Sequence, residues 1–306
     1  MSKQKSKLSV FLLLVSLNSM AIEDSEIPSI NPDEGRIGEI RRVVDDSEFK
    51  VCADPDNMPF SNLKLEGFED KIAEVLAKDL GKKLSFAYAY NRQGFLRNTI
   101  NAMRCDVIIG TTSDNDALRT TVPYYRSGHV FVWRKSSNYD IKDWTSPDLK
   151  KAVIGIVDKS PAAIPLSEND LMGNSRPYRQ QRDLNLPTSH MIDDLVKGEI
   201  DVAVMWGPIA GYYAKQSKEP LEVRLIPEYE NVNVKGKEYW NISIGVRKKE
   251  KDRAAMISAA IERNKDKIEK ILDEYGIPHV PVVAGDSIEK KAKELRAKGD
   301  VTKKSE

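Results

Sequence analysis

Twice along this chain a run of alternating apolar residues gives way to an amphipathic helical stretch and then to another such run, and two long extended segments separate the two blocks. That repeated alternation limits the chain to folds in which helices cover a mainly parallel sheet. In the first block a strand is expected over 49–53, a loop over 54–66, a helix over 67–80 and a strand over 84–90. Phe68, Ile72, Val75, Leu76 and Leu80 share one face of that helix, and Glu69, Lys71, Glu74 and Lys78 occupy the other. Gly81 stands where a helix ends in left-handed backbone. A second helix, over 94–103, would bury Phe95, Leu96, Ile100 and Met103 before a strand over 106–109.

The second block repeats the pattern with different residues: strands over 152–157, 201–205 and 221–227, and helices over 191–197 and 208–217. Between the blocks lie 125–134 and, returning, 240–247, both rich in β-branched and aromatic residues. The chain therefore crosses twice between two lobes. A long helix over 253–275, with Ala254, Ile257, Ile261, Ile268, Ile271 and Leu272 in one stripe, should pack back on the first lobe. The expected organisation is lobe 1 over 48–131 and 241–283, lobe 2 over 132–240, and a charged, solvated tail over 284–306.

The N-terminus carries an address. Lys3, Lys5 and Lys7 precede an apolar stretch over 8–17 and a Ser-x-Ala end at Ser19 and Ala21, the layout of a cleaved secretory signal over 1–21. The apolar stretch is about half the roughly 20 residues that span a bilayer. A polar extension over 22–47 follows, and the mature chain is expected to be soluble in the periplasm, with no transmembrane segment. With 48 Lys+Arg against 47 Asp+Glu the formal charge is +1, and it falls to −2 once the three leader lysines are gone. No basic field for nucleic acid exists. Export also bears on the 2 cysteines: Cys52 sits in the strand over 49–53 and Cys105 immediately precedes another apolar strand, and neighbouring strands would bring them together. An oxidising compartment favours one bridge between them, the alternative being two buried thiols.

Four fragments of the first lobe form an identifiable pattern: Val51-Cys-Ala-Asp-Pro-Asp-Asn-Met-Pro-Phe-Ser-Asn62, Glu66-Gly-Phe-Glu69, Arg104-Cys-Asp-Val-Ile-Ile-Gly110 and Pro123-Tyr-Tyr-Arg-Ser-Gly128. They resemble the type II periplasmic solute-binding proteins, in particular the polar amino-acid family, over roughly residues 48–275. With Met205-Trp-Gly-Pro-Ile-Ala-Gly-Tyr-Tyr-Ala214 added, the combination is similar to the XoxJ/MxaJ group, the binding-protein homologues associated with quinoprotein methanol dehydrogenases. The resemblance implies an α/β fold of two lobes with two hinge crossings and a cleft between them. It also implies a periplasmic accessory role beside a dehydrogenase, with that enzyme's cytochrome c as a second candidate partner. Pyrroloquinoline quinone and calcium or a lanthanide would belong to that partner, and no cofactor is expected in this chain.

An amino-acid receptor of this family meets the ligand's carboxylate with an Arg and its ammonium with an Asp, because buried charges need partners. In Thr111-Thr-Ser-Asp-Asn-Asp-Ala117, Asp116 stands where the resemblance places the Arg, and only an inward turn of Arg119 would replace it. In Asp201-Val-Ala-Val-Met-Trp206-Gly207 an indole and a glycine stand where the Asp would be. Asp54, Asp56, Asn57, Ser113, Asp114 and Asp116 are expected at the mouth of lobe 1, either as a group that attracts a cation or basic segment or as a solvated rim of turn-forming acids. Trp206 has three readings: a plug in the cleft, an anchor for a partner, or an indole packed within its own lobe.

His129, His190 and His279 are not at metal-ligand spacing, and no nucleophile elbow, phosphate loop or dinucleotide fingerprint occurs. Three functions follow in order: a non-enzymatic partner of a quinoprotein methanol dehydrogenase, a solute receptor for an importer of a small polar ligand, and a hydrolase or lyase whose acidic cleft pairs Asp54 with Asp116.

Overall fold

The computed structural model describes residues 44–179, 183–227 and 239–283. The expected leader, most of the extension and the charged tail lie outside the described residues.

Strand β1 (Glu48–Ala53) leads into a short ladder of β2 (Asp56–Asn57) and β3 (Ser61–Asn62). Helix α1 (Phe68–Asp79) buries Phe68, Ile72 and Leu76 on the predicted face. Its start is fixed by Asp70, whose carboxyl accepts from Gly67 N (3.0 Å) and Asn62 N (3.1 Å), and its end by Gly81 at φ +63°. Strand β4 (Lys83–Tyr88) pairs parallel with β1.

The next helix, α2 (Phe95–Asn98), is far shorter than expected. Thr99 Oγ1 donates to Phe95 O at 2.6 Å, and the chain then turns, reaching φ +60° at Met103, so that Ile100 and Cys105 are buried. Strand β5 (Ile108–Thr112) starts two residues later than expected, because Asp106 N and Val107 N donate to Lys50 O before regular pairing begins. The Cys52–Cys105 bridge is formed, with 5.3 Å between Cα atoms.

Strands β6 (Arg119–Thr120) and β7 (Tyr125–Arg134) follow. The second block comprises β8 (Ile154–Val157), α3 (Ala163–Glu168), β9 (Ser175–Tyr178), α4 (His190–Lys197), β10 (Val202–Trp206), α5 (Gly207–Gln216) and β11 (Leu221–Leu225). The chain returns through β12 (Tyr239–Val246) to α6 (Lys251–Arg263) and α7 (Lys265–Tyr275). The single long helix expected over 253–275 is thus two. Asn264, 2% exposed, directs its Nδ2 to Ala260 O at 2.9 Å and leaves helical backbone at φ −114°.

The large sheet runs β5-β12-β7-β10-β8-β9, with β11 also on β7. It is mixed rather than mainly parallel. The pairs β8/β10 and β8/β9 are parallel, whereas β7 and β12 run antiparallel to their neighbours. The first half of β7 lies opposite β12, from Tyr125↔Ile242 to Gly128↔Tyr239. Its second half lies opposite β10 and β11. Correspondingly, one apolar core gathers Phe49, Phe68, Val107, Tyr125, Ile244, Ile257 and Leu272 from both ends of the chain. Others gather Phe131, Ile154, Leu166 and Val204, and Val130, Leu195 and Ala203, from the middle.

Each crossing strand ends in an arginine used in the same way. Arg134, closing β7, donates to the carbonyls of Leu195 and Ile200 and to Asp201 Oδ1 (3.1 Å). Arg247, just after β12, donates to Cys105 O (2.6 Å), Asp106 Oδ1 (2.8 Å) and Glu250 Oε1 (2.7 Å). Burial works against the Arg247 charge, but the bonds to Asp106 and Glu250 outweigh it and raise the guanidinium above its usual range.

Candidate functional site

The expected site residues lie at or just beyond the ends of β1, β5 and β10. Asp54 follows β1 and is buried, at 4% exposure. Its two carboxylate oxygens accept from Asp56 N (2.9 Å) and Asn91 N (2.7 Å), and Ser61 Oγ donates to its carbonyl (2.8 Å). The acid thus holds the turn between β1 and the small ladder together, as Asx residues do. Asp56 is exposed and Asn57 half-buried on that ladder.

Ser113 lies just beyond β5, its Oγ within 2.6 Å of Ser243 Oγ and 3.1 Å of Asn241 O, which ties the end of β5 to β12. Asp114 and Asp116 are exposed in the turn between β5 and β6, a turn organised by Asn115, whose Nδ2 donates to Thr111 Oγ1 at 2.8 Å. Arg119 is on β6, opposite Val246, and its Nε donates to Lys248 O at 2.9 Å. Among the described residues no group of three or more His, Cys, Asp and Glu is arranged to hold a metal ion.

Trp206 ends β10 directly opposite His129 of β7. Rather than packing only within its own block, it lies against the first core. Its ring is edge-to-face with Trp240 (centroids 5.5 Å) and with His129 (6.0 Å), and the Trp240 and His129 rings are 5.6 Å apart. Three rings from three strands therefore close on one another where β7 and β12 pass between the cores. Edge-to-face pairs of this kind add roughly 0.5–1.5 kcal/mol each beyond their area burial. The arrangement presents no carboxylate at the end of β10.

Two partners in this trio, Trp240 and His129, carry no local sequence signal of a site. Glu69 also departs from its predicted solvent face. It sits half-buried against Gly110, where φ is +79° and any Cβ would collide with its Oε1. Burial first, and then neighbouring Asp70, push the Glu69 carboxyl well above its ordinary range. The same burial, with Glu69 as a further cause, raises Tyr124 and Tyr125. The available signal was the glycine inside the apolar strand Ile-Ile-Gly-Thr, a mark of close approach by another group.

Comparison with known proteins adds identity to this geometry. The sequence model of the bacterial extracellular solute-binding proteins, family 3, matches residues 49–278. Protein MoxJ of Methylorubrum extorquens is 32% identical over 252 residues, which cover 78% of this chain and 83% of that one. The crystal structure of the periplasmic binding protein XoxJ from Methylobacterium extorquens AM1 superposes with a TM-score of 0.64 at 37% identity, covering 76% of this chain and all (100%) of that one. That of MxaJ from Methlophaga aminisulfidivorans MPT gives 0.68 at 28% identity, with the same 76% and 100% coverage.

Proposed function

Since the chain belongs to the bacterial extracellular solute-binding proteins of family 3, we propose that it is a member whose work is protein binding: a non-enzymatic, periplasmic accessory protein of a quinoprotein methanol dehydrogenase, assisting its maturation, activation or assembly. The observation that carries this reading is the aromatic closure of Trp206, Trp240 and His129 at the end of β10, where an amino-acid receptor of the family needs a carboxylate. An indole has one N–H to donate and no charge to offer an ammonium group. Support on the carboxylate side comes from Arg119, whose guanidinium Nε is engaged with Lys248 O, and from exposed Asp116, which would repel an anion.

The likeness to MoxJ, XoxJ and MxaJ supports the choice of partner. In this reading the quinone, and calcium or a lanthanide, reside in the dehydrogenase. The lobes comprise 48–131 with 241–283, and 132–240, and cleavage after residue 21 releases the exported chain into the periplasm. No helix among the described residues is long and apolar enough to cross a membrane.

The test is a pair of measurements. Crosslinking and co-purification from periplasm should recover the dehydrogenase, and deletion should lower the cofactor-loaded activity of that enzyme. Titration calorimetry with the standard amino acids should give no heat of binding. A micromolar amino-acid ligand with a marked rise in melting temperature, and no dehydrogenase in the eluate, would replace the adaptor with a solute receptor.

A further inference from the structure

We infer that the two lobes are held at one angle, without any solute, by a clasp that α5 makes with the opposite lobe. Helix α5 grows from β10, yet its successive turns lean on elements of the first lobe. Where it begins, a Cβ on Gly207 would lie 2.7 Å from Gly128 O of the crossing strand β7. One turn later, a Cβ on Gly211 would collide with Gly276 O and Pro278, so the helix touches the end of α7 backbone to backbone. Gly276 closes α7 at φ +69°, a conformation that needs no side chain.

Beyond Gly211, side chains complete the clasp. Lys215 Nζ donates to Asp273 O (3.1 Å) and Glu274 O (2.8 Å), two carbonyls near the end of α7, where a cation also meets the negative end of the helix dipole. Tyr212 stacks on Tyr275 with centroids 5.9 Å apart, and the Tyr275 hydroxyl donates to Glu66 O at 2.5 Å. On the neighbouring face, the Tyr213 hydroxyl donates to Met58 O at 3.3 Å in the loop after β1 and pairs with Thr188 Oγ1. Ser127 Oγ donates to Pro278 O at 2.5 Å, which ties the segment after α7 to the crossing strand itself.

A receptor that closes on its ligand turns one lobe about the crossing strands, and its inter-lobe contacts away from those strands exist only in the closed state. Here the contacts run from Gly207 to Lys215, about 12 Å along the helix axis, and all of them are made by the chain itself. A rotation that opened the lobes would break the Gly211 packing, the Lys215 bonds and the Tyr213 bond together. The clasp deepens the adaptor reading and rests on it for its purpose: a partner protein needs a fixed surface built from both lobes.

The experiment places spin labels on exposed positions of the two lobes, through Lys78→Cys on α1 and Lys197→Cys on α4 of the oxidised full chain, and measures the distance distribution by double electron–electron resonance. The expected result is one narrow population, unchanged by a mixture of the standard amino acids. Gly211→Ala should add a second, separate population while helical circular dichroism is retained, because Ala favours α5 itself more than Gly does. Lys215→Glu, a surface change that reverses the charge at the end of α7, should do the same. Two populations in the otherwise native protein, or one unaltered population in both clasp variants, would overturn the inference. Capture of the dehydrogenase is scored separately: capture with a broad distribution removes the clasp and keeps the adaptor, and a narrow distribution without capture does the reverse.

Discussion

Asp70 shows how one buried carboxyl can be read as a measurement. It is 1% exposed at the start of α1, and burial pushes it up to about 6, against the lowering effect of the N–H donors of Asn62 and Gly67. Below the ordinary carboxyl value of 3.8 both folded and unfolded chains hold the proton. As pH rises from there to about 6 the unfolded chain releases it and the folded chain does not, so stability is lost across that window and is level above it. Asp70→Asn, which keeps one acceptor oxygen, should remove on the order of 2–3 kcal/mol of that fall. Urea unfolding at pH 4 and pH 7 checks it: equal slopes in both proteins would contradict the assignment. Gly110 gives a second outcome. Gly110→Ala must strain a φ of +79° and displace the Glu69 carboxyl, and should lower stability by roughly 1–3 kcal/mol; an unchanged unfolding midpoint would show that Glu69 moves aside freely.

Among the elements, the paired arginines carry the clearest expectation. Arg247→Met leaves Asp106, at 0% exposure, without its counter-charge and should cost about 3–5 kcal/mol. Arg134→Met, whose partner Asp201 is partly solvated, should cost about 1–3 kcal/mol. Equal losses in chemical denaturation would mean that burial of the partner does not set the difference. The elements also mark what a sequence can convey. The bounds of β7, the apolar face of α1 and the Gly81 stop follow from local periodicity and spacing, the cysteine bridge follows from the oxidising compartment that the leader points to, and the structure agrees with them. The break at Asn264 and the short α2 depend on side chains, Asn264 and Thr99, that turn back on their own helix carbonyls, a choice that apolar periodicity does not encode. The outward path of Arg119 and the meeting of Trp206 with Trp240 and His129 depend on which strands become neighbours across more than 30 residues of chain, so no local pattern carries them.

For the molecule as a whole, the bridge and the two kinds of core divide the consequences of damage. Cys52–Cys105 spans 53 residues and lies entirely in the first block. Breaking it should remove at most about 4 kcal/mol in the chain-entropy view. Both cysteines sit in a small cluster with Ile100, Ile108 and Leu118, and the middle cores contain none, so a reducing agent should speed amide exchange over 49–125 and leave 130–226 protected. Uniform loss of protection would mean that the two parts unfold as one. The same division sets an order of assembly. The middle cores draw only on residues between Val130 and Ile226, whereas the first needs β1 and α1 from one end and β12, α6 and α7 from the other. A chain emerging from a pore with its N-terminus leading can complete the middle while Phe49, Phe68 and Ile72 still wait, uncovered, for Ile244, Ile257 and Leu272 to arrive. Any factor that shields nascent chains outside the pore therefore has its longest task at the front of this one.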